Sequence, residues 1–535
     1  MMSRRALRVA FIISLFCSNA FAAPGDVSKK TPLPFNHPTG AAWDGRYLWV
    51  ADRSTDNIYR IDLENGSATD SIASPGYFPS GLAWDGELLW STDPADRMVY
   101  ATDVRTGRTV RSLESPTPSP MGIAWDGTFL WISDNSSDQI SKIDPGDGTT
   151  IVSFPAPATD PRGITFGGGY LWCADRLRDE IYMIHPESGD VVITLDAPGP
   201  FSWGLTWRDG RLLNTDYQDD AVFEIVVKDG ETHRTSDPRY AVIVFTTEAD
   251  VLGSGTVESL DIFYAVPSDR PNQKILNDVL FIPDPARFTA DRWDQKIAVF
   301  HYEDLEPAGS AEVTMRVELE TSAIRYFIYP EDVGDEIPSE IRDRYLADDM
   351  KYDISHPYIQ ELVGSVVGDE PNLYWRARKL FQHLIANMEY EMVGGWNTAP
   401  TVLQRGNGSC SEYSFSYIAL CRAAGVPARY VGSLVVRGDD ASYDDVFHRW
   451  NEIYLPGYGW VPVDANAGDR SLPAEQAAAF GGISNRFLVT TEGGGNSEYL
   501  GWSYNHENRW IAKGKCRIRF ESTAEWEPLD KESER

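Results

Sequence analysis

Positive charge is scarce in this sequence: 48 Lys and Arg stand against 80 Asp and Glu, a formal net charge of −32 at pH 7. A protein that grips nucleic acid neutralises phosphates with a basic surface, so this balance argues against nucleic acid as a partner. The acidic residues form no long run, and a solvated exterior accounts for them. Cysteine is also sparse, with five in 535 residues. Cys173, Cys410, Cys421 and Cys516 sit in dissimilar contexts and suggest no compact disulfide framework. Cys173, Cys421 and Cys516 read as small buried hydrophobes. After the first residues no stretch approaches the ~18 apolar residues of a membrane-spanning helix. Nothing in the sequence calls for a cofactor or a metal ligand set. There are only eight histidines, so candidates for a general base are few.

What is present begins with a leader. Arg4, Arg5 and Arg8 flank or enter a short apolar run at 9–16, and Ala20-Phe21-Ala22 places small residues where a signal peptidase reads them. Residues 1–22 are therefore expected to be a signal peptide, and the protein to be exported to the periplasm or the extracellular medium. The bulky Phe16 before Cys17 argues against a lipid anchor.

From Trp43 the chain repeats itself. Trp43-Asp-Gly, Trp84-Asp-Gly, Trp125-Asp-Gly, Phe166-Gly-Gly and Trp207-Arg-Asp-Gly begin units 41 residues apart. Trp49, Trp90, Trp131 and Trp172 recur at the same step, with Leu213 in fifth place, and Asp52, Asp93, Asp134, Asp175 and Asp216 recur without exception. Each unit holds four short strand-like runs separated by turn signals, which is the period of a propeller blade. The repeats resemble the propellers of the NHL and related classes. Residues 23–235 are expected to form a β-propeller of five blades, with a degenerate sixth as the alternative and the segment near Pro32 closing the ring. The five recurring aspartates read either as carboxylates around a mouth or, more simply, as turn residues that satisfy backbone N–H groups. The propeller itself reads as a recognition platform for a protein or glycan.

Strand-like runs of a different kind follow at 240–247, 256–266, 274–281, 296–302 and 312–320. A β-sandwich over 236–335 fits them. Helices begin near Pro338, and 373–388 carries an apolar stripe at helical spacing. Next comes Gly406-Asn-Gly-Ser-Cys410: two glycines turn the chain, Ser409 suits an N-cap, and Cys410 falls in the first turn of a helix. There the helix dipole favours a thiolate and free N–H groups can hold an oxyanion. Residues 447–455 alternate as a strand, with His448, Trp450, Glu452 and Tyr454 on one face. Pro-Gly-Tyr-Gly at 456–459 turns the chain back, so that Asp464 returns close to His448. Cys410, His448 and Asp464 thus have the residue types and order of a nucleophile, its base and the group that orients the base.

These residues carry a close resemblance. Gly408-Ser-Cys410, Arg422-Ala-Ala-Gly-Val-Pro-Ala-Arg429-Tyr430, His448-Arg-Trp450 and Gly459-Trp-Val-Pro-Val-Asp464 resemble the transglutaminase-like superfamily, a papain-type core, over about residues 340–490. The resemblance implies Cys410 as nucleophile, His448 as general base and acid, and Asp464 as the residue orienting the imidazole. Gln404, six residues before Cys410, matches the place of an oxyanion-hole glutamine, although a solvent-facing side chain fits it equally well. No calcium site can be matched. The expected architecture is multidomain, mainly β plus α+β: signal peptide 1–22, propeller 23–235, sandwich 236–335, transglutaminase-like catalytic domain 336–525 and a charged tail 526–535. The strand-like runs at 486–522 are expected to finish the catalytic sheet. The function implied is a thiol enzyme attacking protein or peptide amides through a thioester, ending in hydrolysis or acyl transfer. The alternative is a non-enzymatic scaffold that binds through its propeller.

Overall fold

The computed structural model describes residues 23–392 and 396–529, so the leader and residues 530–535 of the tail lie outside the described residues. The repeats fold as five four-stranded antiparallel sheets. The first consists of Pro38–Trp43, Leu48–Asp52, Asn57–Ile61 and Ala68–Ala73. The fifth, Ser202–Arg208, Arg211–Asp216 and Ala221–Val226, takes its fourth strand from the front of the chain, where Val27–Pro32 pairs with Ala221–Val226.

Glycines at 40, 81, 122, 163 and 204 explain how the sheets approach one another. A Cβ on Gly40 would lie 2.5 Å from Ser80 O, and one on Gly81 would lie 2.7 Å from Met121 O. The corresponding distances are 2.3 Å from Gly122 to Arg162 O, 2.1 Å from Gly163 to Trp203 O and 2.3 Å from Gly204 to Thr39 O. The last contact returns to the first sheet, so the five sheets form a closed ring with backbones too close for any side chain.

The recurring polar residues are architectural. Asp44, Asp85 and Asp126 each accept two backbone N–H bonds within their hairpin turns through Oδ1. Through Oδ2 each accepts the indole N–H of the tryptophan five residues on, at 2.8, 2.7 and 2.9 Å for Trp49, Trp90 and Trp131. Where the fourth unit lacks this aspartate, Gly167 O accepts from Trp172 Nε1 at 3.1 Å. The second set of aspartates is buried and holds the next turn: Asp216 Oδ1 accepts from the Gln218 and Asp219 N–H groups, and Oδ2 from Phe201 N–H at 2.7 Å. Carboxylates so committed to donors are turn residues, as the simpler reading has it.

The middle of the chain forms two facing sheets. One is built on the long strand His233–Gly253, which pairs on one side with Ser310–Tyr326 and on the other with Cys516–Pro528. The second has the order Arg287–Ala290, Lys296–Leu305, Thr256–Ala265, His506–Lys513. Alternating inward residues, among them Phe245, Ile262, Tyr264, Phe300, Met315 and Trp526, fill the space between them. Two expectations need correction here. The run at 274–281 is not one strand but two short ones, Gln273–Ile275 and Leu280–Ile282, both edging Ser310–Tyr326. Of the C-terminal runs, only Phe487–Gly493 joins the sheet with His448–Leu455 and Gly459–Val463; His506–Lys513 and Cys516–Pro528 complete the sandwich instead. Residues 526–528 therefore lie in a strand rather than a loose tail.

Between Tyr326 and His506 lies an α+β unit. Its sheet runs Gly459–Val463, His448–Leu455, Ala428–Val435, Phe487–Gly493, and its helices include Leu373–Asn387 and Cys410–Ala423. Asn372 caps the former by accepting the Tyr374 and Trp375 N–H groups, and the expected stripe (Leu373, Ala377, Leu380, Phe381, Leu384, Ile385) is buried. This unit docks on the ring of sheets through polar contacts. Arg378, 2 % exposed, donates to Val191 O at 3.2 Å; Gln382 donates to Asp190 at 2.9 Å; Arg178 and Glu475 pair at 2.7 Å. Among the described residues no helix is long and apolar enough to cross a membrane.

The ring makes a sharp prediction. Gly122→Ala forces a methyl group against Arg162 O and should cost about 1–3 kcal/mol in denaturant unfolding. Gly364→Ala, in the exposed interior of the helix Pro357–Val367 with nothing within 4 Å of the new methyl, should stabilise by about 0.5–1 kcal/mol.

Candidate active site

The approach to Cys410 is built by a short helix and a tight turn. Ala399–Arg405 ends at Gly406, whose φ of 78° is the left-handed conformation that terminates helices. Gly408 follows, where a Cβ would lie 2.8 Å from Glu412 Cβ. Ser409 takes the N-cap position with extended backbone, and Cys410 is the first residue of the helix Cys410–Ala423. Glu412, fully buried, holds the turn. Its Oε2 accepts from Ser409 N–H at 3.2 Å and from Arg405 Nη2 at 3.1 Å, and its Oε1 accepts from Asn397 N–H at 3.0 Å. The capping pattern Ser-x-x-Glu at 409–412 is legible in the sequence and marks this residue.

The hairpin delivers the other two groups. His448–Leu455 and Gly459–Val463 pair with Leu455 opposite Gly459 and Asn451 opposite Val463. One residue further, Asp464 arrives beside His448, and His448 Nε2 lies 2.7 Å from Asp464 Oδ2. Asp464 Oδ1 is fixed by Ala467 N–H at 3.0 Å. Aromatic rings hold the imidazole from its sides: Trp450 and Phe487 stack on it with centroids 5.9 and 5.6 Å away. Glu452, on the same strand face, is buried and bonded to Arg429 at 2.8 and 2.6 Å and to Arg270. It supports the sheet rather than the imidazole. From the other face Asn451 Nδ2 donates to Ser414 O at 3.2 Å, which fixes the strand to the helix that carries Cys410.

The electrostatics follow from this packing. Burial by itself would raise the Cys410 thiol, but the hydrogen bond and charge of His448, with the Arg449 backbone N–H and the Arg449 charge, leave it below the ordinary thiol value. Burial would lower His448, but the charge and hydrogen bond of Asp464, joined by those of Cys410, push the imidazole up to about 10. Both shifts favour a thiolate beside an imidazolium. The other thiols behave oppositely: burial raises Cys421 to about 12 and carries Cys173 higher still. Cys516 is partly exposed rather than buried as expected.

Gln404 is not brought to this group. It lies exposed near the end of the helix Ala399–Arg405, and with His383 and Asn387 it lines a different cavity, one of about 260 Å³. The backbone N–H groups at the start of the Cys410 helix are the donors the structure offers near the sulfur. A larger cavity, about 650 Å³, opens behind Asp464 at the junction of the three parts of the chain. Its lining includes Leu195 and Asp196 from the ring, Arg234 and Arg325 from the sandwich, and Asp464 and Phe487 from the α+β unit.

Comparison with known proteins agrees with the motif reading. Residues 360–465 match the transglutaminase-like superfamily. An uncharacterised protein of Haemophilus influenzae is 26% identical over 192 residues, 30% of this chain and 49% of its own length. The chain thus spans about half the length of the curated relative it matches. Among solved structures, a candidate cysteine protease of Cytophaga hutchinsonii is 16% identical, with a TM-score of 0.39 over 54% of this chain and 92% of that one. The glutaminyl cyclase of Myxococcus xanthus is 16% identical, with a TM-score of 0.35 over 38% of this chain and 97% of that one. At these values the structural likenesses carry no argument about chemistry.

The lowered thiol is open to a direct check. In the folded protein iodoacetamide at pH 6.5 should label Cys410 well before Cys173 or Cys421, as read by peptide mass spectrometry. His448→Ala should bring Cys410 labelling down by about tenfold or more.

Proposed function

We propose that this chain, whose residues 360–465 match the transglutaminase-like superfamily, is an exported thiol enzyme acting on amide bonds of proteins or peptides. The reading assigns Cys410 as nucleophile, His448 as general base and acid, and Asp464 as the group that orients and charges the imidazole. The observation that carries it is the 2.7 Å contact of His448 with Asp464, beside a Cys410 thiol that the influence of His448 holds below its ordinary value. A buried thiol with no chemical task should shift the other way, as Cys173 and Cys421 do.

In this mechanism the Cys410 thiolate adds to the amide carbonyl carbon, and the oxyanion forms against N–H groups at the helix start. The C–N bond then breaks as the His448 imidazolium gives its proton to the departing amine, leaving a thioester on Cys410 and a neutral imidazole. Water, deprotonated by His448, releases a carboxylic acid; a second amine instead releases a new amide. Either path returns the thiolate and the imidazolium. No cofactor or metal enters this scheme.

The five sheets of 41-residue repeats are assigned as the blades of a propeller closed by Val27–Pro32. Their part is to recognise a protein or glycan and bring it to the α+β unit docked on their edge. The domains are taken as 23–235, 236–335 with the strands from 506 onward, and the catalytic unit between them. Export rests on the basic, apolar and small-residue pattern of residues 1–22.

Incubation of the protein with a pool of glutamine-containing peptides and a tagged primary amine, read by mass spectrometry, tests the reaction. Tagged products establish acyl transfer; shortened or deamidated peptides establish hydrolysis. Absence of both, with Cys410→Ala indistinguishable from the intact protein, would favour a scaffold. Asp464→Asn should reduce turnover by on the order of 10^3- to 10^4-fold, because the imidazole loses its orienting charge. Turnover should rise as Cys410 ionises below the usual thiol range and fall as His448 loses its proton near pH 10.

A further inference from the structure

His448 is followed by a residue that does not belong in an ordinary core. Arg449 is 0% exposed, on the strand face that packs against the Cys410–Ala423 helix. Its guanidinium carbon lies 5.1 Å from the ring of Trp396, 5.0 Å from Phe415, 4.8 Å from Tyr430 and 4.3 Å from Tyr504. One nitrogen, Nη2, donates to Trp502 O at 2.6 Å, whereas Nε and Nη1 have no hydrogen-bond partner. No carboxylate pairs with it among the described residues.

A buried cation with one hydrogen bond and no counter-ion is expensive, and ring faces offset only part of that penalty. The anions around it are already committed. Asp464 faces His448, Glu412 faces Arg405 at 3.1 Å, and Asp444 faces Arg437 at 2.7 Å. The phenols of Tyr352, Tyr430 and Tyr504 are kept neutral by burial. The remaining group is Cys410, at the start of the helix whose Phe415 ring lies 5.0 Å from the guanidinium carbon, and the Arg449 charge helps to lower its thiol. Asn451, two residues on, donates to Ser414 O of that helix at 3.2 Å and so fixes the strand of Arg449 to the helix of Cys410.

We infer that Arg449 is a positioning residue for the thiol, the terminal cation of an alternating row Asp464, His448, Cys410, Arg449. The assignment rests on the reading of Cys410 as nucleophile. Without Arg449 the row carries an excess negative charge when the thiolate and imidazolium form; with it the buried charges sum to zero. The aromatic cage serves this by keeping carboxylates and water from neutralising the guanidinium first.

The test is the pH profile of Cys410 alkylation by iodoacetamide, measured by peptide mass spectrometry in the full chain, with Cys516 as internal reference. In Arg449→Met and Arg449→Gln the onset of reactivity should move up by at least about one pH unit, a roughly tenfold slower reaction at pH 6. Arg449→Lys, which keeps the charge, should retain most of the original profile. Neutral variants that fold, as shown by near-UV circular dichroism, and keep the original profile would overturn the inference. So would failure of both neutral variants to fold while the lysine variant folds, since the charge would then serve structure. If the unaltered protein itself shows an ordinary thiol profile, the nucleophile reading fails instead, which separates the two conclusions.

Discussion

Backbone pairing along His233–Gly253 is the constraint on which the arrangement of the rest depends. This strand leaves the ring of repeats and pairs over nearly its whole length with Ser310–Tyr326 on one side and, from Ala241 to Gly253, with Cys516–Pro528 on the other. The α+β unit leaves the sandwich after Tyr326 and returns to it at His506, so it is an insertion held at both ends by sheet hydrogen bonds. Ile324 and Arg325 also pair with Ile483 and Gly482 of the inserted unit. The imidazole, the carboxylate and the cavity behind them are therefore referenced to one rigid spine, as a positioned site requires.

Within the insertion, the buried carboxylates are arranged in committed pairs. Glu412 secures the turn that presents Cys410, Glu452 joins Arg429 and Arg270, and Asp464 takes the imidazole. Carboxylates buried in this way are destabilising if their partners are removed. Three buried guanidiniums of the unit have no carboxylate: Arg378 and Arg422 donate to backbone carbonyls, Arg422 to several, whereas Arg449 makes one such bond and is otherwise faced by rings.

Much of this was legible in the sequence because the relevant signals are local. The 41-residue step, the glycine-flanked Cys410 and the Pro-Gly-Tyr-Gly turn each act within a few residues, and the alternation of 447–455 places His448 and Trp450 on one face by geometry alone. The glycines at 40, 81, 122, 163 and 204 carried an equally regular signal that spacing of Trp and Asp overshadows. Gln404 misled because counting back from a cysteine ignores that 399–405 is a helix, which turns the side chain outward. The fate of the last strands was not legible: a strand's alternation states which face is apolar but not which partner it joins, and the main partner of 516–528, residues 241–253, lies 263 to 287 residues earlier. The same alternation leaves Arg449 on the face opposite His448, but nothing in the pattern indicates that this face is sealed.

The insertion also sets an order of assembly. Each repeat sheet except the last closes over about 40 residues, so the ring can form largely from local contacts, whereas Val251 must find Ile518 across the whole inserted unit. Loop-closure entropy opposes such pairings until the intervening chain is compact. The α+β unit should therefore collapse first, acting as a knot that shortens the loop, and the sandwich should lock afterwards. Until that lock forms, the apolar inner faces of the sandwich strands remain uncovered, and this interval is when the nascent protein should be most open to proteolysis and most in need of a chaperone.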